Sequence, residues 1–389
     1  MDFWENGICE TFETVSGEDY SSMDAVLDIE ASRLCDVLVL GSGIAGINGA
    51  LAAAEAGASV ILACKGELFS GSSFYPGTWG LGLIGPDGTD DEEDLINTVK
   101  EVGCGMADSC LVHSLVYGIS PAIDRLQRMG VTFRKAQAGA DQKEYIPCFD
   151  HKHRAWNGIE FESIRQVFSQ KLQDAGVRVL PGWEALELSK EDRWVCGAIL
   201  SNGETLQYIG AKAVILATGG YGSLFEHHLC TSDVEGFGQA LAMDAGCQLI
   251  NMEFMQIMLG FLEPAYGTVF NEKTFRFAEF ETEDGPLPIN EPELLNIRSG
   301  HGPFTSRLPS SAVDLAIGKH PEGVTVHYSR ELQENPPEFI KTYFDWLQTA
   351  RGLSPKDPVK IGLFAHAANG GVRIYGDAST DVPGLFAAG

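Results

Sequence analysis

The segment that most constrains the fold is a glycine motif of the form G-x-G-x-x-G, Gly41-Ser42-Gly43-Ile44-Ala45-Gly46. An apolar run rich in β-branched residues, CDVLVL at 35–40, comes directly before it. An Ala-rich stretch of helical composition follows at 45–56, and SVILA at 59–63 is a second short apolar run. Strand, glycine turn, helix and strand in this order predict one βαβ unit of a parallel sheet.

The spacing of these glycines predicts a dinucleotide site. The first, Gly41, permits a tight turn, and the second, Gly43, lets backbone N–H groups approach a pyrophosphate. The third, Gly46, allows the helix to pack closely on the sheet, and the N-terminus of that helix favours phosphate charge. The ribose-binding acid expected roughly 20 residues further on is missing. The sequence there is LACK at 62–65, and the nearest carboxylate is that of Glu67.

Three further features favour FAD over NAD as the dinucleotide. A glycine and two hydroxyls, GSS at 71–73, follow the second strand closely; ATGG at 217–220 ends another buried strand, and LFAAG at 385–389 ends a third. Each such junction places a glycine or hydroxyl where a flavin dinucleotide would contact the protein. We expect the cofactor-binding residues to be Gly41, Ser42, Gly43, Ala45, Gly46, Lys65, Gly71, Ser72, Ser73, Ala217, Thr218, Gly219 and Gly389.

The charge of the chain excludes one class of function. It has 54 acidic and 27 basic side chains and a formal net charge of −27. Because binding to nucleic acid requires clustered Lys and Arg, we expect no nucleic-acid partner. Much of the negative charge lies in three segments that we predict to be peripheral, 1–33, 87–94 and 271–294. The acidity therefore does not exclude an anionic substrate, although it repels anions at long range.

Cysteine usage and hydropathy predict a cytoplasmic protein with no membrane partner. The nine cysteines are an odd number without a Cys-x-x-Cys pair, which is typical of reduced thiols in a cytoplasmic protein. The N-terminal MDFWENGICE lacks the features of a secretory signal. The most apolar long stretch, 35–64, is interrupted by polar residues and is a poor membrane span.

The rest of the chain predicts two domains. Residues 107–129 predict a helix that is interrupted at Pro121, and Asn202-Gly203 predicts a β-hairpin. Between 252 and 354 proline is frequent and apolar periodicity is weak, which indicates an inserted domain. The chain ends at Gly389 directly after an apparent strand, so we expect a further C-terminal region to be missing.

Three segments resemble the succinate dehydrogenase/fumarate reductase flavoprotein family. They are DVLVLGSGIAGINGALAAAEAGASVIL, AKAVILATGGYGSLF and HAANGGVRIYGDASTDVPGLFAAG, in the order found in that family. Within it, Cys64-Lys65 and the run GSSFYPGTWGLGL are similar to the L-aspartate oxidases, which implies a place in NAD biosynthesis. The implied fold is α/β, a Rossmann-like FAD-binding domain with a parallel sheet, interrupted by an inserted α+β capping domain. The expected bounds are a leader at 1–33, the FAD-binding domain at 34–251 and 355–389, and the capping domain at 252–354.

The resemblance implies hydride transfer between a small carboxylate substrate and FAD, with the electron acceptor left open. His366 falls on the family's substrate-binding histidine. The family's second histidine is replaced by Met258, and a nearby threonine by Gly260. These departures leave open a flavin reductase of the fumarate reductase type, or one that acts on another enoate or ketone, with a less charged substrate. A flavin-binding fragment without turnover is the third alternative.

The capping-domain arginine of the family is also displaced. Ser310 stands at its position, with Arg307 as the expected catalytic substitute and Arg298 as the second candidate. Family members in respiratory complexes attach FAD through a histidine at the position of Ser72, so we expect noncovalent FAD here. No metal is expected, because the spacing of Cys148, Asp150, His151 and His153 does not match a closed zinc site. His151 and His153 remain candidates to line the site.

Overall fold

A computed structural model describes residues 29–133, 144–147, 153–289, 291–306 and 308–389. The strands in this part of the chain are β1 Ile29–Leu40, β2 Val60–Cys64, β3 Leu81–Gly85, β4 Glu144–Pro147, β5 His153–Ile159, β6 Arg178–Pro181, β7 Glu184–Glu191, β8 Trp194–Ser201, β9 Leu206–Leu216, β10 Leu249–Ile250, β11 Met255–Glu263, β12 Ala278–Thr282, β13 Gly285–Pro286, β14 Val324–Tyr328, β15 Val359–Ala368, β16 Gly371–Val372 and β17 Leu385–Ala387. The helices are α1 Ile44–Glu55, α2 Thr89–Val102, α3 Ser109–Met129, α4 Phe161–Asp174, α5 Phe237–Ala245, α6 Pro292–Arg298, α7 Ser311–Ile317, α8 Arg330–Glu334 and α9 Glu338–Arg351.

The main sheet confirms the predicted α/β class. Its order is β6-β2-β1-β9-β8-β7, and β17 adds to the second half of β9. Strands β6, β2, β1, β9 and β17 pair in parallel, whereas β7, β8 and β9 form an antiparallel meander. The hairpin predicted at Asn202-Gly203 joins β8 to β9, with Gly203 at φ +89°. A parallel sheet of this kind brings the carboxyl ends of its strands to one edge.

Both faces of this sheet are buried, as expected of parallel strands. On one face α1 and α4 pack through Ile47, Leu51 and Phe168, which are at most 1% exposed. On the other face α5 packs through Leu241 and Ala242. Strand β1 begins at Ile29 and not at Cys35 as the apolar run suggested, because its first half also pairs with β9.

A second, antiparallel sheet has the order β11-β15-β14-β12-β13. Helices α6, α7 and α9 share with it an aromatic core that includes Phe261, Phe270, Phe275 and Tyr343. Strand β15 belongs to this sheet although it lies in the segment assigned from sequence to the FAD-binding domain. The domain boundaries therefore stay a prediction.

Helix α3 runs through Pro121 without a break, so the predicted interruption was wrong. The ends of the helix are fixed instead by Asp108, whose carboxylate accepts from two backbone N–H groups, and by Gly130 at φ +99°. Val112 and Val116 are buried against α2. A proline inside a helix removes one intrahelical hydrogen bond. In α3 the capped ends and the packing against α2 offset this loss.

The described residues include no helix long and apolar enough to cross a lipid bilayer.

Candidate active site

A cavity of about 570 Å³ opens at the carboxyl ends of the parallel strands of the main sheet. The last residues of four strands, Leu40, Cys64, Leu216 and Ala387, contribute to its wall. The structure places nearly all of the predicted cofactor-binding residues here. Those that line the cavity are Gly41, Ser42, Gly43, Ala45, Lys65, Gly71, Ser72, Ser73, Ala217, Thr218, Gly219 and Gly389.

The glycine turn after β1 brings backbone directly against backbone. Gly41 has φ +110°, and a Cβ placed on it would lie 2.1 Å from the carbonyl oxygen of Ala217. Gly46 is not among the cavity-lining residues but packs behind the turn, where a Cβ would lie 1.9 Å from the carbonyl oxygen of Gly41. A side chain at either position would force α1 away from the sheet.

The N-terminus of α1 points into this cavity. Gly43 precedes the helix and offers no capping side chain, and the Oγ of Ser73 accepts a hydrogen bond from the backbone N–H of Ile44 at 3.2 Å. Ser72 and Gly71 lie on the same wall. Backbone N–H groups at a helix N-terminus, glycine-lined approach and hydroxyls fit the pyrophosphate of a dinucleotide.

An ion-pair cluster that the sequence did not indicate stands at the end of β2. The Nζ of Lys65 lies 2.8 Å from Oε1 of Glu184 and 2.6 Å from Oε2 of Glu235, and all three residues line the cavity. Glu184 and then Glu235 raise the pKa of the Lys65 ammonium. Glu67, the nearest carboxylate in sequence, does not line the cavity, although its backbone carbonyl accepts from Ser42. Glu184 begins β7 and Glu235 lies in a loop, and no motif in the sequence marks either residue.

His366 lies at a β-bulge near the end of β15. The register passes from Gln256 opposite Ala367 to Ile257 opposite Ala365, so His366 is the extra residue. Bulges of this kind redirect a side chain, and they are frequent beside active sites. His366 lines the same cavity as the glycine turn, and its Nδ1 is hydrogen-bonded to Oε1 of Gln256. Burial lowers the pKa of the imidazole to about 4, so the ring is neutral at pH 7.

Met258 and Gly260 on β11 stand where the family has a histidine and a threonine, and both lie in apolar surroundings. Met258 is 8% exposed and packs with Leu229, Val269 and Phe364. A Cβ on Gly260 would lie 2.8 Å from the ring of Phe364, which leaves little room for a larger side chain. Neither residue lines the cavity, so this strand supplies no polar contact there at these positions.

The structure places Ser310 and Arg298 inside the second core, away from the cavity wall. Ser310 is buried, and its Oγ is 2.9 Å from Nε2 of His301. Arg298 is fully buried and forms an ion pair with Asp314 at 2.7 Å. Its remaining N–H groups donate to the carbonyl oxygens of His301 and Gly302. Arg298 is therefore committed to a structural network and does not act as a substrate clamp in this arrangement.

Glu272 is a second unusual feature of that core. It is 7% exposed, and burial raises the pKa of its carboxyl to about 7 despite the opposing effect of the Arg298 guanidinium. Its Oε1 makes no hydrogen bond with any residue that the structure describes. A buried carboxylate with an unsatisfied oxygen favours its protonated form.

Several predicted residues fall outside the described ranges. Arg307, the expected catalytic arginine, is one of them, as are Cys148, Asp150 and His151. The backbone of His153 belongs to β5, whose antiparallel partners are β3 and β4. Among the described residues no group of His, Cys, Asp and Glu is arranged to hold a metal ion.

Comparison with known proteins agrees with this geometry. Residues 36–268 match the sequence family described as FAD binding domain. The L-aspartate oxidase of Vibrio cholerae is 26% identical over 385 residues, which cover 93% of this chain and 70% of that enzyme. The open conformation of a flavocytochrome c3 fumarate reductase has a TM-score of 0.70 at 20% identity, covering 92% of this chain and 72% of that chain.

A solved structure of a 3-ketosteroid-Δ4-(5α)-dehydrogenase from Rhodococcus jostii, in complex with 4-androstene-3,17-dione, shares the fold as well. Its TM-score is 0.60 at 15% identity, covering 94% of this chain and 92% of that chain. The fold alone therefore does not decide the substrate. The glycine turn, the cavity and the match over 36–268 do decide the cofactor and the class. The chain belongs to the FAD binding domain family, within the succinate dehydrogenase/fumarate reductase flavoproteins, and is an FAD-dependent oxidoreductase.

Proposed function

We propose that this protein transfers a hydride between a small carboxylate substrate and noncovalently bound FAD, in the manner of the L-aspartate oxidases to which it is similar. One observation carries the proposal. His366, from β15, lies on the wall of the same cavity as the glycine turn after β1. A substrate held at His366 would therefore meet the cofactor held at that turn.

Two groups of residues would hold two different parts of FAD, the pyrophosphate and the adenosine end. Gly41, Gly43 and the hydroxyls of Ser72 and Ser73 would bind the pyrophosphate, next to the N-terminus of α1. Lys65 with its two carboxylates would meet the adenosine end, because it follows β2. When bound, FAD supplies the hydride acceptor, and the protein orients the reactants around it.

His366 would hold the substrate through its Nε2, since Nδ1 is engaged by Gln256. Its burial keeps the ring neutral at pH 7. We further propose that Arg307 neutralises a substrate carboxylate, because Arg298, the other candidate, is paired with Asp314. We also propose that FAD is bound noncovalently, since Ser72 stands where the members in respiratory complexes carry the histidine that forms the covalent bond.

A second candidate function has specific support. Met258 and Gly260 lie in apolar packing where the family has polar residues, and Ser310 replaces an arginine. Among the cavity-lining residues, all of which belong to the described part of the chain, Lys65 is the one cationic side chain. These observations favour a substrate with less charge than a dicarboxylate, such as an enoate ester or a ketone. Reduction of such a compound would use the same FAD site.

The decisive experiment follows the visible absorbance of the flavin in the purified protein. Denaturation first shows whether FAD is released, as noncovalent binding requires. Anaerobic mixing with L-aspartate or succinate then tests for flavin bleaching. Reoxidation of dithionite-reduced flavin by O₂, fumarate or 2-cyclohexenone tests the reverse direction and the acceptor. A His366→Gln variant should lose the reaction, and His320→Gln, which changes a partly exposed histidine paired with Glu322, is the matched control.

Each outcome separates the alternatives. Bleaching by L-aspartate supports the first proposal, and reoxidation by cyclohexenone alone supports the second. A flavoprotein that responds to none of these compounds is the binding protein without turnover. A purified chain that holds no flavin would overturn both proposals.

A further inference from the structure

We propose that Asp233 binds the hydroxyl groups of the adenosine ribose of FAD, in place of the acid that is missing from the end of β2. This inference rests on the proposed function, since it concerns the cofactor of the same site. In a dinucleotide fold this contact usually comes from an acid directly after the second strand, where the present chain has Cys64-Lys65. Here the loop between β9 and α5 would supply it.

Asp233 lies beside the end of β2, although the two segments are far apart in sequence. Its Oδ2 is 4.0 Å from the position that a Cβ on Gly66 would take, two residues after β2 ends. Burial raises the pKa of the Cys64 thiol, and the negative charges of Glu67 and Asp233 add to this effect. Asp233 lines the cavity together with Cys64 and Lys65. A carboxylate from a distant loop therefore stands where the fold places the ribose.

Asp233 differs from the acids that surround Lys65. Glu184 and Glu235 also line the cavity, and both are bonded to the Lys65 ammonium. Oδ1 of Asp233 is buried and accepts no hydrogen bond from any residue that the structure describes. A carboxylate oxygen that is withdrawn from water without a donor is costly. A ligand that brings a donor to Asp233 would remove this cost.

Gln239 shows that this wall of the cavity is short of donors. Its side chain is on the cavity wall and only 8% of the residue is exposed. Nε2 donates to the carbonyl oxygen of Gly219 at 2.8 Å, whereas Oε1 is buried and has no donor within the described part of the chain. Two buried acceptors on one wall indicate an occupant with hydroxyl or N–H groups.

The loop that carries Asp233 is held in place by the segment that follows β9. The carbonyl oxygen of Val234 accepts from the backbone N–H of Ser223 at 3.1 Å and from its hydroxyl at 2.8 Å. The backbone N–H of Gly236 donates to the carbonyl oxygen of Gly220 at 3.1 Å. Because these bonds fix the loop before the cofactor binds, little conformational entropy is lost when the carboxylate takes its ligand.

The part of FAD that suits Asp233 is the adenosine ribose. The pyrophosphate belongs at the glycine turn after β1, and the ribose lies next to it at the end of β2. The pyrophosphate is anionic and has only acceptor oxygens, so a carboxylate would repel it. A ribose hydroxyl instead donates to a carboxylate in a charge-assisted hydrogen bond.

The test compares FAD with its 2′,3′-dideoxyadenosine analogue, titrated into the full chain after removal of bound flavin and followed by flavin absorbance. In the unchanged protein we expect FAD to bind roughly tenfold to hundredfold more tightly than the analogue. Asp233→Ala should bring the ratio of the two Kd values close to one. Both ligands carry the same diphosphate, so the loss of a negative charge nearby does not alter the ratio. Asp244→Ala, at an exposed carboxylate of α5, is the matched control and should keep the full ratio.

Two further measurements separate ribose binding from a role in folding. FMN has no adenosine, so its Kd should be the same for Asp233→Ala and the unchanged protein. Asp233→Asn keeps the shape and an acceptor oxygen but not the charge, and should give an intermediate ratio. A ratio near one in the unchanged protein, or an undiminished ratio in both Asp233 variants, would overturn the inference.

The outcomes keep this inference apart from the function on which it rests. An undiminished ratio in the Asp233 variants of a protein whose flavin reacts with L-aspartate or succinate contradicts the inference alone. A protein that prefers FAD to the analogue through Asp233, but whose flavin reacts with none of the substrates or acceptors named above, supports the inference and contradicts the proposed function.

Discussion

Arg298 and Asp314 form a bidentate ion pair that is closed to solvent, with Nε 2.7 Å from Oδ2 and Nη2 3.0 Å from Oδ1. The pair joins the last residue of α6 to the middle of α7. The third guanidinium nitrogen, Nη1, donates to two backbone carbonyls, so every nitrogen of the group is bonded. Arg298, the second candidate from sequence for the capping-domain arginine, is therefore a structural element of the core beneath the second, antiparallel sheet.

Removal of one partner of this pair should be strongly destabilising. Asp314→Asn leaves the Arg298 charge buried and uncompensated, and should lower the free energy of unfolding by about 3–5 kcal/mol. Urea denaturation measures the change. The control is Arg330→Ala, which breaks the exposed pair with Glu334 and should cost about 0.5 kcal/mol or less. Equal decreases in the free energy of unfolding in the two variants would contradict a larger contribution from the buried Arg298–Asp314 pair.

Glu272 should make stability depend on pH. Its carboxyl has a pKa raised from 4.5 to about 7, so the native state holds its proton more tightly than the unfolded chain. This contribution is present below pH 4.5 and is lost as pH rises through 7, up to about 3 kcal/mol. The unfolding free energy of the unchanged protein should therefore fall relative to that of Glu272→Gln as pH rises from 5 to 8.

The pH dependence of Glu272→Gln must be compared with that of the unchanged protein, because other groups also make stability depend on pH. Burial lowers the pKa of His366 and of His301, and these groups make stability rise with pH below 6.5, the opposite direction. Both histidines are present in the two proteins, so the difference in unfolding free energy at each pH isolates Glu272. A difference that stays constant between pH 5 and 8 would contradict the assignment.

The third glycine of the motif should tolerate no side chain. Gly46→Ala would place a Cβ 1.9 Å from the backbone oxygen of Gly41, which cannot rotate away as the end of a flexible side chain could. We expect a loss of about 3 kcal/mol or more in stability, together with loss of bound flavin. The matched control is Gly118→Ala within α3, where nothing lies within 4 Å, and where alanine should stabilise by about 0.5–1 kcal/mol. Flavin retained by the Gly46 variant would refute the close packing.

Lys65 should contribute to the affinity for FAD and not for FMN. Lys65→Met leaves Glu184 and Glu235 with no cation between them at the cavity wall, which should repel the adenosine diphosphate half of FAD. Because the cluster is partly exposed, we expect only a threefold to tenfold rise, roughly, in the Kd for FAD, less at high salt. FMN lacks that half and should bind as before. Lys212→Met, at the exposed partner of Asp36, is the control, and equal losses for FAD and FMN would contradict the placement.

Much of the cofactor site was predictable from sequence. The strand–glycine–helix–strand order around Gly41 and Gly46 is local, and so is the Asn202-Gly203 hairpin, since each depends on residues within a few positions of one another. Helix α3 shows where a local rule fails. Pro121 predicted an interruption of the helix, but the helix is continuous because it is capped and packs against α2. The acids of this wall were not predictable in the same way, because Glu184 on β7 and Glu235 in a loop are both far from Lys65 along the chain.

The sequence by itself determined the α/β class, the dinucleotide cradle and the identity of the cofactor, because hydrogen bonding within a βαβ unit and its glycine turn is encoded over a short window. Three contacts were decided only by the tertiary structure. Gln256 is hydrogen-bonded to the ring of His366, Lys65 forms ion pairs with two carboxylates distant in sequence, and Arg298 forms an ion pair with Asp314. Each of these contacts joins residues from separate elements. A bulge, a crossover or the docking of two helices sets their distances, and no periodicity along the chain records those distances.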